Sequence, residues 1–218
     1  MQWIRGKKLK RENRIRIANS LMHLKKLGRG FYLRPTLVVA RDLPGKYFVR
    51  RLRGETLVGK IVEVEAYLGE LDPASHAFRG KTNRNEVMFL RGGHLYVYFT
   101  YGMHFCCNVV AEGEGVGRAI LVRALEPLRG ISRMMLNRNA PLDNLCNGPA
   151  KLCQALNIGR PENGTDLCRD QIWIAENTVG EEKGSIGRST RVGITDGIHH
   201  RWRFYLKGSK FISPGKPV

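Results

Sequence analysis

Two runs rich in β-formers, LYVYFTY (95–101) and MHFCCNVV (103–110), stand on either side of a single glycine, Gly102. Neither run contains proline, and Val, Tyr, Phe and Thr recur in them, as expected of strands. One residue cannot form the crossover that parallel strands need, so the two runs must be antiparallel neighbours. The sequence predicts a two-residue turn at Tyr101-Gly102, with glycine where a positive φ is required and Tyr101 at the tip. The first run does not alternate apolar with polar residues. It carries aromatics on both faces, Tyr96 and Tyr98 on one and Phe99 and Tyr101 on the other.

The setting of that hairpin is strongly basic. The 218 residues include 37 Lys and Arg against 19 Asp and Glu, a formal net charge of +18. Such an excess points to a polyanionic partner, nucleic acid first and an anionic membrane surface second. A bulky tip aromatic then has two readings. It folds back onto its own hairpin, or it is a wedge that enters a base stack. No apolar run is long enough to span a bilayer, and the basic N-terminus lacks the apolar stretch of a signal peptide. Five cysteines without a C-x-x-C pair argue against a disulfide framework and against a zinc ribbon. An intracellular, reducing setting is expected.

The 42% hydrophobic content is enough for an ordinary core. Residues 1–30 hold Lys and Arg almost without acid, Glu12 being the exception, and form either a tail or a short amphipathic helix with Ile17, Leu21 and Leu24 on one face. Residues 31–218 read as one mixed α+β domain. TLVVARDL (36–43) is expected as a strand running into a loop, KIVEVEAYL (60–68) as a strand, and AILVRALEP (119–127) as a strand stopped by Pro127. PLRGISRMML (127–136) suits a helix with Ile131, Met134 and Met135 on one face. GPAKLCQALNIG (148–159) suits another, opened by Pro149 and closed by Gly159. Residues 164–187 read as surface loop with one strand, and RWRFYLKGSKFIS (201–213) as a final strand or hairpin.

Several familiar motifs are missing. GEGVG (113–117) lacks a strand–helix frame and reads as a hairpin turn rather than a dinucleotide loop. There is no phosphate-cradling G-x-x-x-x-G-K-[ST] and no G-x-S-x-G elbow. His199 and His200, adjacent on a strand edge, would point to opposite faces and make a poor metal pair.

The chemistry concentrates in residues 60–80, KIVEVEAYLGELDPASHAFRG. In a strand, Glu63, Glu65 and Tyr67 share one face. Two partly buried carboxylates this close raise the pKa of one of them; a solvated acidic face is the plainer alternative. His76 follows in a loop rich in turn residues. A carboxylate beside aromatic rings suits a pocket for an extruded base, where rings stack the base and the carboxylate activates water.

Six blocks in order, VEVEAYLG with the following His, YVYFTYGMHFCCN, VRALEPL, NGPAKLCQAL, RVGI and RFYLKGS, resemble the alkyladenine (3-methyladenine) DNA glycosylase family. They run from about Tyr32 to Ser213. The resemblance implies a single compact α+β domain on a curved antiparallel sheet, with a β-hairpin that enters DNA. It implies Glu65 as the general base for water, held with Arg123 and the backbone carbonyl of Val192. It implies Tyr67, His76 and Tyr98 as rings around the flipped base, the His76 amide as a donor to the base edge, and Tyr101 as the intercalating wedge. Asn108 would exclude the 2-amino group of guanine. In a two-residue turn, however, Leu95 would pair with Asn108 on the face opposite Tyr98. A bulge at Cys106-Cys107 is therefore expected. His104 departs from the tyrosine of the family's best-known member.

The implied reaction is hydrolysis of an N-glycosidic bond through an oxocarbenium-like transition state. No lysine is placed for a Schiff base, so an intact abasic site is the expected product. Substrates would be alkylated or deaminated purines (3-methyladenine, 7-methylguanine, hypoxanthine, ethenoadenine) in double-stranded DNA. Arg84, Met103 and Lys151 are expected DNA contacts, Lys151 because it lies in the first turn after Pro149. No cofactor, metal or membrane is expected, and the chain is expected to act as a monomer. Two rival readings are a non-enzymatic basic nucleic-acid-binding protein and a nuclease. The first gives no role to Glu65 with Tyr67 and His76, and the second lacks a cluster of metal-binding carboxylates.

Overall fold

The computed structural model describes residues 24–177 and 184–214. Its frame is an open antiparallel sheet of nine strands, in the order β1-β7-β2-β3-β6-β5-β4, with β9 paired to both β3 and β8. The strands are β1 (Leu24–Lys26), β2 (Tyr47–Leu52), β3 (Glu55–Tyr67), β4 (Leu95–Thr100), β5 (His104–Ala111), β6 (Arg118–Arg129), β7 (Ile172–Asn177), β8 (Ile186–Ser189) and β9 (Arg203–Leu206). Among the described residues five short helices accompany it: α1 (Arg29–Tyr32), α2 (Thr36–Asp42), α3 (Ile131–Asn137), α4 (Leu142–Leu145) and α5 (Pro149–Ala155). Helices α2, α3 and α5 contribute Val39, Met134 and Leu152 to a core shared with Ile61, Val64, Val122 and Leu125 of the sheet. Each fully buried side chain of this kind contributes about 1.5–3 kcal/mol by transfer.

Strand β3 organises the molecule. One edge pairs with β6, and the other pairs first with β2 at Glu55–Lys60 and then with β9 at Glu63–Glu65. The change of partner coincides with register shifts between Ile61 and Glu63 and between Glu63 and Val64. The bulge resets the alternation. Ile61 and Val64 both enter the main core, while Glu63 and Glu65 both meet Arg123 of β6. Gly59 permits close strand approach, because a Cβ there would lie 2.9 Å from Cβ of Leu125.

Several local expectations change in the folded chain. Residues 36–42 are a helix, not a strand. Pro35 sits at its N-cap, and the Glu112 carboxylate accepts from the backbone N–H of Thr36 at 2.8 Å. That long-range cap overrides the β-branched content of the segment. Pro127 does not stop β6, which continues to Arg129. Pro127 lies opposite Gly59, beside the register shift between Val58 and Gly59, where a missing donor is tolerated.

Helix α3 buries Met134 but leaves Met135 exposed. Helix α5 ends at Ala155, and Asn157, with φ 51°, takes the left-handed position instead of Gly159. Strand β7 is an internal strand between β1 and β2, and β8 begins at Ile186, so the described part of 164–187 holds one strand and the start of a second. Leu24 belongs to β1, so a helical face does not reach it; Ile17 and Leu21 lie outside the described residues. Residues 113–117 do form the turn between β5 and β6.

The hairpin differs in one decisive respect. Its turn has three residues, Tyr101 to Met103, and Thr100 pairs with His104. Tyr101 (φ 51°) and Gly102 (φ 67°) are both left-handed. Tyr96 therefore pairs with Asn108, and Tyr98 with Cys106, in an unbroken register. The bulge expected at Cys106-Cys107 is absent, because the extra turn residue has already made the shift.

Candidate active site

Tyr96, Tyr98 and Asn108 consequently share one face of the hairpin. With Tyr67, His76 and Tyr101 they line a cavity of about 210 Å³, which Met88, Thr100 and Gly193 help to close. Tyr96 and Tyr98 are stacked, with ring centroids 5.5 Å apart and planes at 27°. His76 stands edge-on to Tyr98 at 4.5 Å. Its Nδ1 lies 3.1 Å from the Tyr96 hydroxyl. The His76 loop is pinned by buried Asn85, whose Nδ2 donates to the His76 carbonyl at 2.7 Å. Partial burial and the nearby Arg84 charge hold the imidazole pKa below its usual value, so the ring is neutral at pH 7. Asn108 Nδ2 donates to the Tyr96 carbonyl at 3.2 Å, which fixes its side chain in the cavity wall.

Glu65 lies behind this wall and is fully buried. Its Oε1 accepts from the backbone N–H of Val192 at 2.7 Å. Its Oε2 accepts from the Tyr67 hydroxyl at 3.0 Å and from Arg123 Nη1 at 3.2 Å. Burial raises the Glu65 pKa; Arg123, the Val192 amide and Tyr67 oppose the rise, and the repulsion from Glu63 is a minor contribution. Repulsion between the two acids is thus not the main cause, contrary to the reading from their spacing. The solvated acidic face is also overturned, since neither carboxylate is exposed. Burial works against the Arg123 charge, but attraction to Glu65 and Glu63 outweighs it and raises the guanidinium pKa.

The two acids differ in their surroundings. Glu63 Oε1 accepts from Arg123 Nε, Arg203 Nε and Ser213 Oγ at 2.8–2.9 Å, and Oε2 accepts from the Ser213 amide. Those contacts tie β3, β6, β9 and the C-terminal segment together, and among the described residues no donor to Glu63 comes from the cavity wall. Glu65 alone touches a residue that lines the cavity, Tyr67.

The other sequence-predicted positions are more scattered. Tyr101, at the hairpin tip, is 85% exposed. It does not fold back onto the hairpin. Met103 is also exposed, and it borders a second cavity on the other side of β5. Arg84 Nη2 donates to the Phe99 carbonyl at 3.3 Å and so braces the hairpin. Lys151 is held by the amide oxygens of Asn144 and Asn147, and α5 has only seven residues, which weakens the expectation of a helix-terminus anion site. His199 and His200 lie in a loop, with ring centroids 4.1 Å apart. Among the described residues, no group of three His, Cys, Asp or Glu is placed to hold a metal, and the five cysteines are free.

Sequence reasoning missed Tyr96 as a wall residue, although its two-residue spacing from Tyr98 carried that signal. It also missed Arg203 and Ser213, which no local pattern connects to Glu63. No helix among the described residues is long and apolar enough to cross a membrane.

A buried, donor-held carboxylate beside a ring-lined cavity, next to an exposed aromatic tip on a chain of charge +18, has the layout of a nucleic-acid-processing hydrolase. Comparison with known proteins agrees with that class. The profile described as methylpurine-DNA glycosylase (MPG) matches residues 30–210. The chain is 48% identical over 188 residues to a protein of Carboxydothermus hydrogenoformans, with 86% of this chain and 98% of that protein covered. It is 44% identical over 201 residues to one of Alkaliphilus oremlandii (86% and 98% covered) and 46% identical over 196 residues to one of Chlorobium phaeovibrioides (89% and 100%). All three are provisionally named 3-methyladenine DNA glycosylases. The chain belongs to the methylpurine-DNA glycosylase family and is a DNA glycosylase, a hydrolase of N-glycosidic bonds.

Proposed function

We propose that this enzyme extrudes a damaged purine from double-stranded DNA into the cavity between Tyr67, His76 and Tyr98, and that Glu65 directs water to C1′ of its sugar. The observation that carries this reading is the Glu65 carboxylate. It is buried, held at both oxygens, and linked to the cavity wall through the Tyr67 hydroxyl. Water entering beside Tyr67 gives a proton to Glu65, and its oxygen attacks as the purine leaves. The carboxylate also stabilises the oxocarbenium-like sugar. Arg123 and the Val192 N–H hold the carboxylate, while Arg123 and the Val192 backbone carbonyl hold the water.

Alkylated purines are cations while attached to the sugar, so the tyrosine faces attract them through their π electrons; each leaves as a neutral base by taking the C1′–N bonding pair, whereas a neutral purine must first be protonated on its ring. The cavity accepts 3-methyladenine, 7-methylguanine, hypoxanthine and ethenoadenine, because stacking reads the ring face and not its substituents. The His76 amide has no hydrogen-bond partner among the described residues, which suits a donor to the purine edge. Asn108 rejects guanine by contact with its 2-amino group. Tyr101 fills the space vacated by the base, and Met103, Arg84 and Lys151 contact the surrounding DNA. Residues 31–218 form the catalytic domain, joined by β1 and the start of α1 from the basic segment 1–30, whose charge adds attraction to DNA, and the enzyme acts as a monomer without a cofactor.

The test is single-turnover base release from duplexes carrying each of the four lesions, by the native enzyme and by Glu65→Gln. The native enzyme releases the bases and leaves intact abasic sites. The Gln variant binds lesion DNA but is slower by about 10²-fold or more, as expected for loss of a positioned general base. Near-native release by the variant would remove Glu65 from this role.

A further inference from the structure

We infer that Arg191 is the positioning residue of this site: it fixes, from behind, both the Val192 amide and the Tyr67 ring that hold Glu65. The inference rests on the catalytic role proposed for Glu65. Arg191 is the largest fully buried side chain among the described residues. Its Nη1 donates to Asp72 Oδ2 and to the Ala66 carbonyl (3.1 Å), and its Nη2 donates to Asp72 Oδ1 at 2.7 Å. The guanidinium centre lies 4.7 Å from the Tyr67 ring centroid and 5.1 Å from that of Trp202. His200 stacks on Trp202 at 3.9 Å, with planes at 1°.

Each contact leads to a part of the site. Val192 follows Arg191 directly, so fixing one places the other's N–H on Glu65. Tyr67, on whose ring the guanidinium rests, is the second donor to Glu65. Asp72 accepts the backbone N–H groups of Leu68 and Ala74, at 3.3 and 3.2 Å, and thereby shapes the loop that carries His76. Ala66, whose carbonyl accepts from Arg191, lies between Glu65 and Tyr67 on β3. One planar cation with several fixed donors can satisfy these geometries together; an ammonium cannot span them.

A buried ion pair that only stabilises the fold would also be costly to break. A hydrophobic replacement of both partners is often neutral or stabilising, because no lone charge remains. The variants Arg191→Met with Asp72→Asn, which removes both charges but keeps a side-chain oxygen for the loop amides, and Arg191→Lys alone, therefore separate the two roles. Thermal unfolding first establishes that each is folded. Base release is then measured under single-turnover conditions across pH. If Arg191 positions the site, the folded double variant still binds undamaged duplex but releases base about 10- to 100-fold more slowly, the range seen when the hydrogen-bond partners behind metal ligands are lost. Its acid limb moves to higher pH, because the Val192 amide no longer favours ionised Glu65. Arg191→Lys recovers part of the rate. A folded double variant that matches the native rate and pH profile would overturn the inference. A native enzyme that releases no base would instead overturn the catalytic reading on which it rests.

Discussion

Asn108 faces Tyr96 across the β4–β5 pair, and its side-chain amide donates to the Tyr96 carbonyl at 3.2 Å. This puts an amide of fixed orientation in a wall otherwise made largely of aromatic rings. Rings accept any purine face, so discrimination falls to such edge groups.

Shrinking the edge group should relax discrimination. Asn108→Ser is expected to raise release of guanine relative to hypoxanthine, by an amount worth roughly 1–3 kcal/mol for removal of a steric block. Single-turnover release from G·T and I·T duplexes measures the ratio. No rise would mean that Asn108 is not the gate.

The donors around Glu65 set the pH at which it is ionised. Burial raises its pKa and the Tyr67 hydroxyl lowers it. A general base works when deprotonated, so activity falls as pH drops through the raised value. Tyr67→Phe removes a donor that favours the carboxylate, and the acid limb should move to higher pH while the ring remains for stacking. A pH–rate profile of base release under single-turnover conditions checks the direction; an unmoved limb would show that the hydroxyl does not tune Glu65.

Tyr101 is 85% exposed, so its replacement should leave the fold intact. Tyr101→Ser is expected to unfold at the native temperature but to capture less of the extruded base, since extrusion costs a few kcal/mol that a plug helps to offset. Fluorescence of a base analogue beside the lesion reports the extruded fraction. An unchanged fraction would leave the tyrosine without a role in capture.

Glu63 should behave in the opposite way to Glu65. Glu63→Ala leaves Arg123 and Arg203 without the carboxylate they share, and breaking such a buried pair costs about 3–5 kcal/mol. Denaturant unfolding of native and variant proteins measures the loss. A difference below about 1 kcal/mol would contradict the network's structural role.

The sequence by itself determined the elements whose signals are short-ranged. Alternation across KIVEVEAYL marks β3, two β-rich runs around Gly102 mark the hairpin, and Pro149 marks the start of α5. It also placed Glu63, Glu65 and Tyr67 on one face from their two-residue spacing, and despite the bulge between Ile61 and Val64 both acids still meet Arg123. What it left open required partners distant in the chain. A three-residue turn, not a bulge, brought Asn108 to the face of Tyr96 and Tyr98; the change from two turn residues to three is small locally, but it inverts every side chain of the partner strand. The Glu112 carboxylate made a helix of residues 36–42 from 76 positions away. The division of labour between two acids two residues apart was likewise tertiary. Glu63 is enclosed by Arg123, Arg203 and Ser213, while Glu65 is held by Val192, Arg123 and the cavity's own Tyr67. Identical carboxylates become unlike only through the donors and burial that the fold brings to each.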